Sequence, residues 1–279
     1  MAGKDILFET EIKLLQELRL IHAIAETGHQ INVRRSEKFK VEPLEKKFNI
    51  SIGTGTEGVF PIANLVKIDH KTPKVSIGNI TQTLIFPRSI TDYCKSLWKA
   101  ERTDKFVFSG WMSRKRKKEL EHWIREKWGI QRSIHSHKEY LPKIKNHFRL
   151  LFGLPEIQII FNNELKILPS GKGRKFPDKA WDEEYYQNLA NSKFVLCPCG
   201  NSVWTYRFFE AILCGAIPVV EKTCEAYNGF TYFAFDDPIE ELKWDQKIAD
   251  ENFKLCLERI TVEPEELNRE LEKIVYSNY

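Results

Sequence analysis

An α/β fold built on parallel sheets is what this sequence predicts, and three observations predict it. Ser192 to Glu221, SKFVLCPCGNSVWTYRFFEAILCGAIPVVE, reads as strand, glycine-containing loop, helix, glycine stop and second strand. Lys105 to Trp128 repeats the first part of that logic, because the apolar KFVFSG ends in glycine and a basic helix follows. Near the N-terminus a short strand over Lys4 to Phe8 precedes an amphipathic helix over Glu11 to Glu26. Strands alternating with helical patterns of this length signal βαβ crossovers, whose strands lie parallel.

The N-terminal helix puts Ile12, Leu15, Leu18, Ile21 or His22 and Ala25 on one side, the spacing of a helix packed on a core. Gly28 closes it, and His22 reads as a core or boundary histidine. Ile31 to Val33 continues as a strand, and the charged stretch to Lys47 reads as a solvated face. Phe48 to Asp69 is a strand that breaks into GTGTEG and resumes as a further strand or helix. The glycines of Gly53 to Gly58 mark a loop with backbone freedom, and Glu57 at its tip is either an exposed turn carboxylate or a side chain reaching into a cleft. No Gly-Lys-Ser/Thr follows, so this is not a Walker loop. Asp69 can cap the turn before Pro73. Thr83 to Phe86 reads as a strand, and a domain boundary is expected within Ser89 to Asp104.

In the second half, Trp123 and Trp128 fall on the apolar face set by Leu120 and Ile124. The basic run Arg114 to Lys118 has two readings. Arg114 and Arg116 can serve as fork-shaped donors to a diphosphate at the strand end, or the run with its nearby tryptophans can contact nucleic acid. Ile130 to His135 is the next expected strand, with His137, Tyr140 and His147 after it as candidate contacts to a nucleobase. Ile157 to Phe161 and Leu165 to Leu168 read as short strands or hairpin edges, and Gly171 to Pro177 as a basic turn. Phe208, Phe209, Ile212 and Leu213 lie at helical spacing, Gly215 stops the helix, and Ala216 to Val220 is a buried strand. Such a unit places a helix N-terminus at the C-terminal edge of a parallel sheet, where backbone N–H groups and the helix dipole favour an anion such as a diphosphate. Arg207 and Glu210, three residues apart, share a helix face. They form either a surface ion pair or a phosphate cation with an acceptor for ribose hydroxyls. Phe230 to Phe235 reads as a last strand, Asp236-Asp237 as a helix cap, and Ile239 to Trp244, Asp245 to Leu257 and Pro264 to Tyr276 as helices.

The 279 residues hold one large or two small domains, and 42% hydrophobic with 29% charged residues excludes a disordered or membrane chain. A net charge of +4 suits a nucleotide or polyanionic ligand without demanding nucleic acid. The six cysteines contain no CxxC pair and read as buried free thiols in a reducing compartment. MAGKDILFETEIKLL has no long apolar run, so neither a secretory signal nor a membrane anchor is expected, and the expected location is the cytoplasm.

The segment LCPCGNSVWTYRFFEAILCGAIPVV resembles the C-terminal signature of exostosin-like glycosyltransferases, family 47. There a Leu-Cys-Pro-Arg-Gly type turn precedes an Arg-x-x-Glu-Ala helix and a Gly-x-x-Pro-Val-Val strand. The matching positions are Leu196, Cys197, Pro198, Gly200, Val203, Arg207, Glu210, Ala211, Gly215, Pro218 and Val219, and Glu184 to Pro198 fits the helix and strand leading in. Cys199 stands where the family usually has Arg, and Ser202 where it often has Gly. The Asp69-His70 pair is also similar to one in the family's N-terminal half.

The resemblance implies a GT-B fold of two Rossmann-like domains facing a cleft. Expected are an acceptor-binding domain over 1–95, a nucleotide-sugar domain over 96–260, and a terminal helix over 261–279 crossing back to the first. The implied activity is inverting transfer from a UDP-sugar to a glycan hydroxyl, without metal or cofactor. Xylose is the first choice of sugar, with galactose, glucuronic acid and N-acetylglucosamine as others. The compact, anchorless form resembles exostosin-like enzymes of large algal viruses acting in a host cytoplasm. Expected donor contacts are Gly110, Arg114, Arg116, Gly200, Asn201, Ser202, Arg207 and Glu210. The base is sought among Glu57, Asp69 and His70. The partners are then a nucleotide sugar and a glycan acceptor, with no nucleic acid and no membrane segment. Two alternatives stay open: a fucosyltransferase-like enzyme using GDP-fucose, and an RNA-binding protein using Arg114 to Lys118.

Overall fold

The computed structural model describes residues 6–9, 11–55, 60–62, 66–69, 71–131, 133–134, 159–170, 175–177 and 179–277. The chain divides into two compact units, one of residues 1–96, 175–182 and 254–279, the other of 97–174 and 183–253.

The first unit is built on a four-stranded sheet ordered β3-β2-β1-β4, from β1 (Ile6–Phe8), β2 (Ile31–Val33), β3 (Ile52–Gly53) and β4 (Phe60–Pro61). Every pairing in it is parallel. Helix α1 (Leu15–Glu26) starts later than its apolar spacing suggests. The Glu17 carboxylate accepts the N–H groups of Lys13 and Leu14 at 2.7 and 2.8 Å, which ends the helix there. Leu18, Ile21 and Ile24 are fully buried in a core that also holds Ile6, Ile31, Val41 and Leu44.

The charged stretch before Lys47 is only in part a solvated face, with Arg34, Arg35, Glu42 and Lys46 exposed. It forms a 3-10 turn over Arg35–Glu37 and helix α2 (Lys38–Phe48). Glu37 and Lys40 are buried there as a pair 2.7 Å apart. Glu37 also accepts the Ile12 N–H, while Lys40 donates to the Ile12 carbonyl. The two charges tie the chain entering α1 to α2, and each satisfies the other.

A three-stranded antiparallel sheet of β5 (Val66–Asp69), β6 (Lys74–Ile77) and β7 (Ile80–Gln82) follows. Thr83 to Phe86 is not a strand, because its N–H groups are drawn to a helix end: Thr83 and Phe86 donate to the carbonyls of Arg259 and Ile260. The expected boundary segment overlaps α3 (Arg88–Ser96), whose first N–H groups at Arg88 and Ser89 are capped by Glu26.

The second unit carries a six-stranded sheet ordered β13-β12-β11-β8-β10-β9. Its members are β8 (Asp104–Trp111), β9 (Ile159–Phe161), β10 (Leu165–Ser170), β11 (Ser192–Cys197), β12 (Ile217–Val220) and β13 (Phe233–Ala234). All neighbours are parallel except the β9–β10 hairpin. β10 is thus an inner strand against β8 as well as one arm of that hairpin. Helices α4 (Arg114–Trp128), α5 (Glu183–Ala190) and α6 (Tyr206–Leu213) belong to this unit. Trp123 joins Phe106, Phe108 and Leu120 in its core, with Trp128 packed on the edge.

The part of the expected strand Ile130 to His135 that is described has no strand geometry, and Ile239 to Trp244 forms only a turn. Asp236-Asp237 therefore caps no helix. Asp237 accepts the Ala234 N–H at 2.7 Å, and Lys127 binds the carbonyl oxygens of both aspartates. Helix α7 (Gln246–Ile260) leads into the first unit, where α8 (Pro264–Ser277) buries Leu267, Leu271 and Val275 in its core. No helix among the described residues is long and apolar enough to cross a membrane.

Candidate functional site

In the second sheet, β8 has β10 on one side and β11 on the other, so the strand order reverses at β8. A crevice outside the C-terminal ends of the strands at such a reversal is where open α/β sheets bind ligands. Two glycine turns leave the sheet here, Gly110 near the end of β8 and Gly200 after β11.

Gly110 has φ +133°, a conformation costly for any residue with a Cβ. A Cβ there would also lie 2.5 Å from Nη2 of Arg207. The guanidinium of Arg207 is therefore laid against bare backbone. Its Nε donates to the Ser109 carbonyl at 2.9 Å, and its Cζ sits 4.4 Å from the centroid of the Phe108 ring. Arg207 is buried, and its Nη1 has no hydrogen-bond partner among the described residues. A buried guanidinium with an unused donor at a helix start is equipped to take an anion.

Gly200 answers Gly110 across the site, since a Cβ on it would lie 2.7 Å from Nη2 of Arg116. Arg116 comes from the first turn of α4, whose N-cap Ser113 accepts the Arg116 N–H. Its Nη1 donates to the Trp111 carbonyl at 3.2 Å. Burial, followed by the charge of Arg207, pushes Arg116 down to about 10. The second cause is repulsion between two like charges. An anion between them would relieve that repulsion.

α6 begins without a side-chain cap, because Thr205 makes none, so its first-turn N–H groups add to the positive end of the site. The Gly200 loop is pinned by Glu221, whose carboxylate accepts the Cys199 N–H at 2.8 Å. Burial and then Glu221 push the Cys199 thiol up to about 11, and burial pushes Cys197 up to about 12. Both thiols stay neutral near pH 7 and leave the arginine charge uncancelled. All six cysteines are free, and all but the half-buried Cys224 are buried.

The surface-pair reading of Arg207 and Glu210 is excluded, since both are buried. The Glu210 carboxylate accepts the hydroxyls of Tyr185 at 2.6 Å and Tyr186 at 3.2 Å, both from α5. Helical spacing had no means of showing these partners, which lie 24 and 25 residues upstream. Of the other expected donor contacts, Arg114 and Asn201 are exposed and Ser202 is half-buried. Asp69 ends β5, exposed, and accepts the N–H groups of Lys71 at 2.8 Å and Thr72 at 3.4 Å, the turn-capping geometry. Glu57, His70, His137, Tyr140 and His147 lie outside the described residues. The structure thus brings together Gly110, Arg116, Gly200, Arg207 and Glu210. Trp111, next to this group, is exposed; in the sequence it figures only among the tryptophans of the nucleic-acid alternative and not as a donor contact.

The exostosin GT47 domain profile matches residues 67–228. A search of the curated proteins finds no match. Among solved structures, Anabaena Alr3699/HepE in complex with UDP is 15% identical, with 97% of this chain and 72% of that chain covered at a TM-score of 0.36. AviGT4, a glycosyltransferase involved in avilamycin A biosynthesis, is 11% identical, with 98% of each chain covered at a TM-score of 0.44. Sucrose-phosphate synthase from Thermosynechococcus elongatus is 12% identical, with 96% of this chain and 63% of that one covered at a TM-score of 0.38. The two α/β units, one on a parallel sheet and the other on a sheet parallel but for its β9–β10 hairpin, are GT-B-like in class, and the profile spans more than half of the 279 residues. This chain belongs to the exostosin GT47 family and is a glycosyltransferase.

Proposed function

We propose that this enzyme takes its sugar from a UDP-linked donor and transfers it, with inversion, to a hydroxyl of a glycan acceptor. One observation carries the reading: two opposed guanidinium groups, Arg116 and Arg207, flank the Gly110 and Gly200 turns with a buried donor unused on Arg207. A diphosphate matches that charge. The same two cations stabilise the leaving nucleoside diphosphate as the glycosidic bond breaks, so no metal is required by this reading. Glu210 uses two of its four lone-pair positions on Tyr185 and Tyr186, which leaves two for neighbouring ribose hydroxyls.

Inversion in one displacement needs a base on the acceptor side. Glu57 is our first choice, with Asp69 and His70 as the competing pair, and Asp69 already holds a turn together. Glu57→Gln should lower turnover by about 100-fold while UDP affinity stays unchanged. Near-normal turnover in that variant, with Asp69→Asn inactive, would move the role to Asp69. The nucleotide is tested by thermal unfolding with UDP, GDP, UDP-sugars and a short RNA, because a ligand that binds only the folded chain raises its melting point. UDP and UDP-sugars should stabilise the protein, with UDP-xylose the first donor to try in turnover assays. Stabilisation by GDP alone would favour a fucosyltransferase-like donor, and stabilisation by RNA alone would favour the basic run at the start of α4.

A further inference from the structure

Some large apolar side chains stay exposed, and where such surface is rimmed by polar groups it marks ligand-binding grooves. Among the described residues four do so: Phe39, Trp111, Ile160 and Val203. Two of these, Trp111 at 42% and Val203 at 41% exposure, belong to the two turns that Arg116 touches. Trp111 directly follows Gly110 and ends β8, in register with Ser170 at the end of β10. Its carbonyl holds the Arg116 guanidinium at 3.2 Å, which fixes the backbone that carries the indole beside the proposed diphosphate cations. The other tryptophan of this strand-helix unit that packs in the core, Trp123, is 2% exposed and stacked edge-on with Phe106. The ring of Trp111 has no aromatic or cationic partner among the described residues. A large indole is thus presented to solvent on a strand end, next to two arginines that form no ion pair with an acid among the described residues.

We propose that Trp111 is the platform on which the nucleobase of the donor stacks, an inference that rests on the sugar-nucleotide reading of the Arg116–Arg207 site. In a nucleoside diphosphate the ribose separates the base from the phosphates, so a base belonging to a diphosphate held by those guanidinium groups lies one ribose away from them. A planar base gains most from a flat, exposed, preoriented π face. Stacking tolerates any base, so Trp111 supplies affinity, and the choice among bases comes from polar contacts elsewhere.

The test compares inorganic diphosphate, UDP and UDP-glucose binding by calorimetry in the unaltered protein, Trp111→Ala and Trp111→Phe. Trp111→Ala should weaken UDP and UDP-glucose equally, by roughly 5-fold or more, and leave inorganic diphosphate unchanged. Trp111→Phe should recover most of the loss. The side chain is exposed, so the unfolding midpoint should not move. Unchanged UDP affinity in Trp111→Ala overturns the inference. Loss confined to UDP-glucose overturns it too, since the ring would then face the donor sugar. Equal weakening of inorganic diphosphate would make Trp111 a prop for Arg116 and would also overturn it. Failure of the unaltered protein to bind either UDP or inorganic diphosphate is a different result, which ends the sugar-nucleotide reading itself.

Discussion

The Nη2 atom of Arg207 lies 2.5 Å from the point where a Cβ on Gly110 would stand, so the residue on β8 and the cation on α6 are fitted to each other. Gly110→Ala meets two obstacles at once, that contact and a φ of +133°. The strain is worth about 1 to 3 kcal/mol, and relief requires Arg207 to move. We expect a lower urea midpoint together with weaker UDP binding. Gly55→Ala is the control, since nothing lies within 4 Å of a Cβ there, and neither measurement should change.

Glu210 is buried and holds two tyrosine hydroxyls, so Glu210→Gln is expected to act on stability as well as on the donor. The amide nitrogen cannot accept a hydroxyl proton, which leaves one buried donor unmatched at a cost of about 1 to 3 kcal/mol. Loss of a ribose acceptor should weaken UDP in the same variant. Thermal unfolding and calorimetry separate the two effects. A lower melting point with unchanged UDP affinity would confine Glu210 to holding α5 against α6.

The first unit carries a pH dependence of its own. His22 is fully buried on α1, with Ser89 Oγ 3.0 Å and Glu26 Oε1 3.4 Å from its Nε2. Burial lowers its pKa, assisted by the charge of Arg19 and opposed by Glu26. On Glu26 itself burial acts upward, but hydrogen bonds from His22 and Ser89 outweigh it and the net shift is downward. A histidine held neutral in the fold binds its proton more readily in the unfolded chain. Its contribution is complete above the ordinary histidine value of about 6.5 and is lost as pH falls below that. Glu26 adds a second loss in the ordinary carboxylate range near 4. Urea unfolding between pH 7.5 and 5 should show falling stability, and His22→Gln should flatten that slope. An equal slope in the variant would place the proton uptake elsewhere.

Legibility in the sequence follows how local the determining interactions are. α4 runs from Arg114 to Trp128 as its pattern predicts, because Ser113 and Gly129 at its two ends are themselves the caps. The strand-helix-strand unit from Ser192 to Val220 is equally local, and its motif locates Gly200, Arg207 and Glu210. α2 was hidden because its buried face includes Lys40, a charge whose partner Glu37 and carbonyl at Ile12 are set by the fold. Thr83 to Phe86 has the composition of a strand, yet its N–H groups go to a helix end about 175 residues away along the chain. Tyr185 and Tyr186 on Glu210, and Arg116 on the Trp111 carbonyl, depend on which strands neighbour β8. Periodicity carries no information about that order.

The central claim is that Arg116 and Arg207 together hold a diphosphate, and calorimetric titration of UDP into the unaltered protein and Arg116→Gln tests it most directly. Arg116 is half-buried, and among the described residues its side chain bonds the Trp111 carbonyl while its backbone N–H takes the Ser113 cap, so the substitution should leave the unfolding midpoint nearly unchanged. A hydrogen bond to a charged group is worth about 1.5 to 3 kcal/mol, so UDP should bind about 10- to 150-fold more weakly to the variant. UDP bound with equal affinity by both proteins would contradict the account.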